Sequence, residues 1–361
     1  GPSMQPPPAP DRAARATRPG GRRAVSAGDV ARVAGVSKAA VSYVFNGRTG
    51  VSDATRDHVR SVAASLGYER SIAEHDPRRI DVLGLVLSNV ANPFYPELSV
   101  AFTAAAAERG YGVFLAHTDD AADSLGRTVH AMAGRGLAGV AIAVARSDSA
   151  APVRELRSGR IPFVQVSRSF SGELGDFVGI DDVRAARQIA AHAIQHGRGP
   201  FATIIGPRAS SASQDRERGF HEELRSAGIE VPATMRISTE LTLDGGRAAA
   251  AHLLAMPRPP RFILCGSDVL ALGVLAQAST LGRSIPGDLS VSGFDGTDLC
   301  ATGIAGLTGI VQPRAQLASV AASMLIDRIG GRTGPWQRTR LEHQLRIGRT
   351  CGCGDRHAVA S

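Results

Sequence analysis

Apolar positions along this chain change their period twice, and each change marks a boundary. From Val25 to Leu66 they fall at helical spacing in three short bursts: Val30, Val33 and Ala34; Val41, Val44 and Phe45; Val59, Val62 and Leu66. Residues three and four apart share a helix face, so the pattern predicts three short helices packed together. Ser37 and Ser52 stand where they can cap the second and third, each offering an oxygen to unpaired first-turn amides. Gly35 breaks the chain between the first two. Residues 69–80, ERSIAEHDPRRI, lose the periodicity and carry Pro77, which predicts a linker.

Beyond the linker the apolar residues gather into unbroken runs: Val82–Leu87, Val113–Ala116, Val140–Val144, Phe163–Val166, Phe201–Ile205, Phe262–Cys265 and Val291–Phe294. These alternate with Ala-rich helical stretches. Runs without polar alternation predict parallel strands covered on both faces, an α/β doubly wound architecture. Residues 81–350 are too many for one ordinary open sheet, so two similar lobes are expected, with ligands at the carboxyl ends of the strands.

Composition narrows the class. With 361 residues, 43 % hydrophobic and 20 % charged, the chain is neither a disordered tail nor a coiled coil. No apolar run is long enough to cross a bilayer, so no membrane partner is expected. Cys265, Cys300, Cys351 and Cys353 form no disulfide framework and no charged-then-apolar leader precedes the fold, which points to the cytoplasm. Gly1–Ser3 before Met4 read as a cloning remnant, and 1–24 as a disordered tail. Charge is lopsided: residues 1–80 hold 13 Lys/Arg against 7 Asp/Glu, out of a net +8 for the chain. Concentrated positive charge suits phosphate binding, because neutralising phosphates releases counterions, although a basic solubilising tail has the same signature.

Asp29–Ser37 followed by Lys38–Asn46 has the logic of a helix-turn-helix: a short helix, a glycine turn, a serine cap, and a second helix able to enter the major groove. A plain helical hairpin would share that geometry. Here the sequence resembles the LacI/GalR family of bacterial transcription regulators. DVARVAGVSKAAVSYVFNG at Asp29–Gly47 follows the family pattern with Ala40 in place of the usual Thr, and VSDATRDHV at Val51–Val59 and LGY at Leu66–Tyr68 continue it. NPF-x-x-EL from Asn92, TDD from Thr118, IP-x-V-x-V from Ile161, R-x-x-GF from Arg216, SD-x-x-ALG from Ser267, IP-x-D-x-SV-x-GFD from Ile285 and QP at Gln312 extend it along most of the chain.

The resemblance implies an N-terminal helix-turn-helix module at 25–68, a hinge at 69–80, and a two-lobed periplasmic-binding-protein-like effector domain at 81–350. Its first lobe would comprise about 81–181 plus 311–338, its second about 182–310 plus 339–350, with 351–361 a tail. Lys38, Ala39 and Tyr43 fall where the family reads bases; Ser26, Ser37, Ser42, Asn46 and Thr55 match phosphate-gripping positions. Ser37 and Ser42 can equally be caps or surface hydroxyls. Alanines offer only methyl contacts to thymine, so Lys38 and Tyr43 would carry the hydrogen-bond readout. The hinge departs from the family: Pro77, Glu74 and Asp76 oppose a helix wedged into the minor groove, and Ile72 is the one candidate wedge.

The same resemblance implies an effector cleft lined by Phe94, Tyr95, Asp119, Arg168, Arg216, Ser267 and Asp295. Tyr95 covering a helix, Asp119 capping a turn and Arg168 in a surface pair are the structural alternatives; Asp268 reads as a helix N-cap. His117, Ser167, Ser267 and Leu241 replace residues common in sugar-responsive members, which suggests an anionic or less hydroxylated effector, or a degenerate site. His343 and His357 flank Cys351-Gly-Cys353, read as a tail of thiols without metal. No nucleophile elbow, paired acid motif or phosphate loop appears, so neither catalysis nor a cofactor is expected. The expectation is a homodimeric repressor, not tetrameric for want of a heptad helix, that binds a pseudo-palindromic double-stranded DNA operator under control of a sugar or other polar metabolite. The alternative is a small-molecule binding protein or enzyme with a helical docking module.

Overall fold

A computed structural model describes residues 25–45, 50–68, 81–121, 123–144, 151–170, 175–197 and 199–353. The chain forms two compact units, divided between Arg79 and Ile80.

The first unit holds α1 (Ala27–Ala34), α2 (Lys38–Phe45) and α3 (Asp53–Ser65). Ser26 caps α1 in a reciprocal box with Asp29. Gly35 ends it at φ 69°, a left-handed conformation that glycine adopts without a Cβ clash. Ser37 Oγ accepts from Ala40 N at 3.1 Å, and Ser52 Oγ from Thr55 N at 3.2 Å, starting the next two helices. Val30, Val41, Val44 and Val59 form the centre of a small core, closed on one side by the Phe45 and Tyr68 rings, 5.6 Å apart. One expected core residue turns outward: Val33 is 47 % exposed, because Val30, Ala31 and Ala34 already fill the buried stripe of α1.

The second unit contains two parallel sheets. The first comprises β1 (Asp81–Leu87), β2 (Tyr111–His117), β3 (Gly139–Ala143), β4 (Phe163–Val166), β5 (Asp176–Ile180) and β11 (Arg338–Leu341), in the order β11-β5-β4-β3-β1-β2. Against it lie α4 (Phe94–Glu108), α5 (Ser124–Ala133), α6 (Ala151–Ser158) and α12 (Arg314–Ile329). The second comprises β6 (Phe201–Ile205), β7 (Arg236–Ser238), β8 (Phe262–Cys265), β9 (Ser290–Asp295), β10 (Thr308–Val311) and β12 (Gln344–Arg346), in the order β12-β10-β9-β8-β6-β7; only β12 runs antiparallel. Its helices are α7 (Asp182–Gln195), α8 (Ser211–Ser226), α9 (Leu243–Leu254), α10 (Asp268–Thr280) and the short α11 (Asp298–Ala301). Every expected strand run forms, and all but one are largely buried as the apolar pattern requires; the exception is Val113–Ala116, in the edge strand β2, where Phe114 and Leu115 are exposed.

The chain passes between the sheets three times, after β5, after β10 and after β11. The last crossing corrects the expected division at 338/339. Arg338–Leu341 pairs in parallel with Phe177–Ile180 and so belongs wholly to the first sheet, while Val311 pairs with Asp295 in the second. The tail expected from 351 also needs correction: Cys351 is fully buried in the second lobe's core, because Thr350 bonds β9 and β10 and draws the chain in after it. Among the described residues, no helix is long and apolar enough to cross a membrane.

Candidate DNA-reading face and effector cleft

On α2, burial of Val41 and Val44 leaves Lys38, Ala39, Ser42 and Tyr43 on the exposed face. The three expected base-reading residues therefore share one solvent-facing row. Ser26, Ser37 and Thr55 sit at or in the first turns of α1, α2 and α3, where outward amides and the helix dipole favour an anion. Each is also engaged structurally. Ser26 Oγ donates to Asp29 Oδ2 at 2.7 Å, Ser37 Oγ accepts the Ala40 amide while keeping its own proton to donate, and Thr55 Oγ1 lies 2.8 Å from Ser52 Oγ. Asn46 and the hinge residues Ile72, Glu74, Asp76 and Pro77 lie outside the described residues.

In the second unit, the carboxyl ends of strands from both sheets converge. From the second lobe come Arg216 on α8, Ser267 after β8 and Asp295 ending β9. Arg216 Nε donates to Asp182 Oδ1 at 2.7 Å, and Nη1 donates to Gly266 O at 2.7 Å and to Asp295 Oδ1 at 3.1 Å. Asp295 also accepts from Ser267 Oγ at 2.9 Å and Gln312 Nε2 at 2.9 Å. The guanidinium packs on the Phe294 ring, 3.9 Å from its centroid. Burial works against that charge, but Asp182 and Asp295 outweigh it and raise the Arg216 pKa.

From the first lobe come Phe94 and Tyr95 at the start of α4 and Arg168 after β4. The Arg168 guanidinium lies 5.3 Å from the Tyr95 centroid and 5.8 Å from that of Phe94. At 4 % exposure Arg168 is no surface pair. Burial pushes the Tyr95 phenol up to about 12, with Arg168 pulling it down and Asp120 and Asp295 adding to the rise. Tyr95 thus feels a carboxylate of the opposite lobe. The lobes also touch directly: Asp298 N donates to Glu97 Oε1 at 3.0 Å, and Ser169 N to Ser211 Oγ at 3.2 Å.

The structure brings six of the seven expected cleft residues into this buried assembly. Asp119 differs: it is exposed, in a left-handed turn at φ 56°, while the adjacent Asp120 is buried and accepts from Ser88 Oγ. Asp268 is not an N-cap. Ser267 holds that position, and the Asp268 carboxylate instead accepts from Thr297 N at 2.7 Å and Thr297 Oγ1 at 2.9 Å. Burial, reinforced by Asp295, raises its pKa to about 7. Arg216 itself is already neutralised by the carboxylates of its own lobe. Asp120, Asp182 and Gln312 escaped the sequence reading; TDD and QP gave a signal for Asp120 and Gln312, whereas nothing local marks Asp182 as the partner of an arginine thirty-four residues on. Beside this assembly a cavity of about 470 Å³ opens between the lobes, lined among others by Ser167, Asp182, Arg184, Ser211, Arg338 and Arg340.

Residues 28–71 match the lacI family of bacterial regulatory proteins, and residues 190–351 match the periplasmic binding protein-like domain. The transcriptional regulator DegA of Bacillus subtilis (strain 168) is 31 % identical over 79 % of this chain and 86 % of its own. The chain belongs to the LacI family. The transcriptional repressor CytR of Escherichia coli (strain K12) is 30 % identical over 84 % of this chain and 89 % of its own. A solved complex of the transcriptional regulator CelR with cellobiose aligns at a TM-score of 0.69, with 31 % identity, covering 89 % of this chain and 98 % of that one. These LacI-family relatives are regulators rather than enzymes. This LacI-family member is a helix-turn-helix DNA-binding transcription regulator whose second unit has the fold of small-molecule-binding proteins.

Proposed function

We propose that the protein acts in the cytoplasm as a non-enzymatic homodimeric repressor, with two copies of α2 reading a pseudo-palindromic operator and an oxygen-rich polar metabolite held between the lobes of each second unit. The single observation that carries the ligand's role is a pair of buried, unpartnered donors, Arg168 Nε from the first lobe and Arg216 Nη2 from the second. A buried N–H without an acceptor costs about 1–3 kcal/mol. A ligand offering an oxygen to each lobe relieves both penalties and so couples its own binding to the distance between lobes. Asp182 and Asp295 already take bonds from Arg216, so what the assembly leaves open is donors, which call for oxygen acceptors on the ligand; the hydroxyls and carbonyls of a sugar supply them. The CelR neighbour's complex is with a disaccharide, the same chemical class.

Fluorescence anisotropy on the gene's own upstream DNA tests this, with neutral sugars and anionic sugar derivatives added one at a time. The reading expects one neutral, hydroxyl-rich compound to change operator affinity by a factor in the range of about 5–150, typical of allosteric coupling. A response confined to anions would reject the ligand class. Operator binding unchanged on removing residues 1–80 would reject the regulator.

A further inference from the structure

Far from the cleft, α7 and the segment after β12 bring together two imidazoles and two thiols. His192 and His196 are four residues apart and therefore share a helix face. His192 Nε2 lies 3.3 Å from His196 Nε2, 3.4 Å from Cys351 Sγ and 3.7 Å from Cys353 Sγ. His196 Nε2 lies 3.2 Å from Cys353 Sγ, and all four ligand atoms fall within 4.8 Å of one another. Zinc binds sulfur at about 2.3 Å and imidazole nitrogen at about 2.0–2.1 Å, so a tetrahedral site separates its nitrogens by about 3.3 Å and nitrogen from sulfur by about 3.5 Å. The four atoms already stand near the corners of that tetrahedron.

We propose that His192, His196, Cys351 and Cys353 bind one zinc ion in a closed, structural site that fastens the segment after β12 to α7. Two nitrogens facing each other can share one proton, but a dication at the centre satisfies all four donors at once. Two thiolates neutralise it, so the completed site carries no net charge into surroundings that include the second lobe's apolar core. The mixed imidazole and thiolate set with no open position suits structural zinc rather than calcium, magnesium or a hydrolytic centre. Supporting contacts are present: Thr308 Oγ1 donates to Cys351 Sγ at 3.0 Å, and Thr350, one residue earlier, is held by Val291 O at 2.7 Å. Gly352, at φ 89°, turns the chain between the cysteines.

The sequence reading expected thiols without metal here, and the histidines beside them are not the two that flank the pair in sequence. His343 bonds Gln188 Oε1 at 2.7 Å, and His357 lies outside the described residues. The histidines at the thiols come from a helix more than 150 residues earlier, which the short Cys-x-Cys spacing cannot reveal. Asp182, which holds Arg216, starts the same helix roughly 15 Å away along its axis at 1.5 Å per residue. The clamp therefore braces one wall of the cleft without entering it.

Full-length, tag-free protein purified without chelator tests the assignment. One zinc per chain by elemental analysis is expected. Replacement with cobalt should give tetrahedral ligand-field bands and a thiolate-to-cobalt charge-transfer band, and chelation should lower the unfolding midpoint until stoichiometric zinc restores it. Cys353→Ser and His196→Ala should reduce metal to a trace, while His343→Ala keeps one ion per chain. Wild-type protein with no more than trace metal that takes up neither zinc nor cobalt would overturn the proposal whether or not the variants fold. So would a Cys351–Cys353 disulfide, or metal retained by the Cys353 and His196 variants.

Discussion

Arg216 gives its bonds to carboxylates of its own lobe, so its first role is to keep Asp182 and Asp295 paired inside the protein. Replacing it, as in Arg216→Met, leaves two buried carboxylates facing each other. Breaking a buried pair in this way costs about 3–5 kcal/mol. Burial already raises the Asp182 pKa and Arg216 holds it down, so without the guanidinium Asp182 takes up a proton more readily and the deficit relative to wild type should grow as pH rises, as read by urea titration. Asp268 gives an opposite case. Its pKa stands at about 7, against an ordinary 3.8. Between those values the folded protein binds a proton the unfolded chain has lost, so this residue's contribution falls as pH rises through the window and is constant above it. Each unit of displacement is worth about 1.4 kcal/mol. Asp268→Asn, which keeps an acceptor for Thr297, should therefore gain on wild type from pH 4 to about 7 and then hold a constant advantage. A flat difference across that range would show that the carboxylate is ionised throughout. His221, whose pKa burial lowers to about 4, is common to both proteins and cancels in the difference.

At the scale of elements, legibility followed how uniformly each was apolar. Fully buried strands such as β3 and β8 announce themselves as unbroken runs, and the helices of the first unit by their caps. β5 was hidden because it opens with Asp176, a buried carboxylate whose charge is answered by Arg328 at 2.7 Å. β11 and β12 read Arg-Thr-Arg-Leu and Gln-Leu-Arg, polar strands with no core-facing run. Helix contact also left a trace in the sequence that only packing explains. Gly246 on α9 and Gly273 on α10 meet backbone to backbone, and a Cβ on Gly273 would lie 2.7 Å from Gly246 Cα. Gly273→Ala should force the helices apart and destabilise by about 1–3 kcal/mol, lowering the urea midpoint with an unchanged slope. On α2, Lys38→Ala removes one hydrogen-bonding side chain from the exposed row without touching Val41 or Val44. It should weaken operator binding by about 1–3 kcal/mol and relax specificity at one base-pair position, leaving the melting temperature in place. Equal weakening on every sequence would make Lys38 a phosphate contact instead.

For the molecule as a whole, architecture was more legible than the site. Repeated strand-helix alternation and a basic, helical first unit are properties of long stretches, and they survive local irregularity. The cleft depends on pairs distant in sequence, Arg216 with Asp295 and Glu97 with Asp298, as the cluster away from it depends on His192 with Cys351. No local pattern reveals such pairs, although family motifs singled out, one by one, six residues that the fold brings together. Two functions meet in one chain: α2 reads DNA and the lobes sense a metabolite. Footprinting of the gene's upstream DNA with the full chain, with Lys38→Ala and with residues 81–361 tests the first directly. Two symmetry-related protected half-sites for the full chain, weakened by Lys38→Ala and absent for 81–361, are predicted; protection by 81–361 alone would contradict the account.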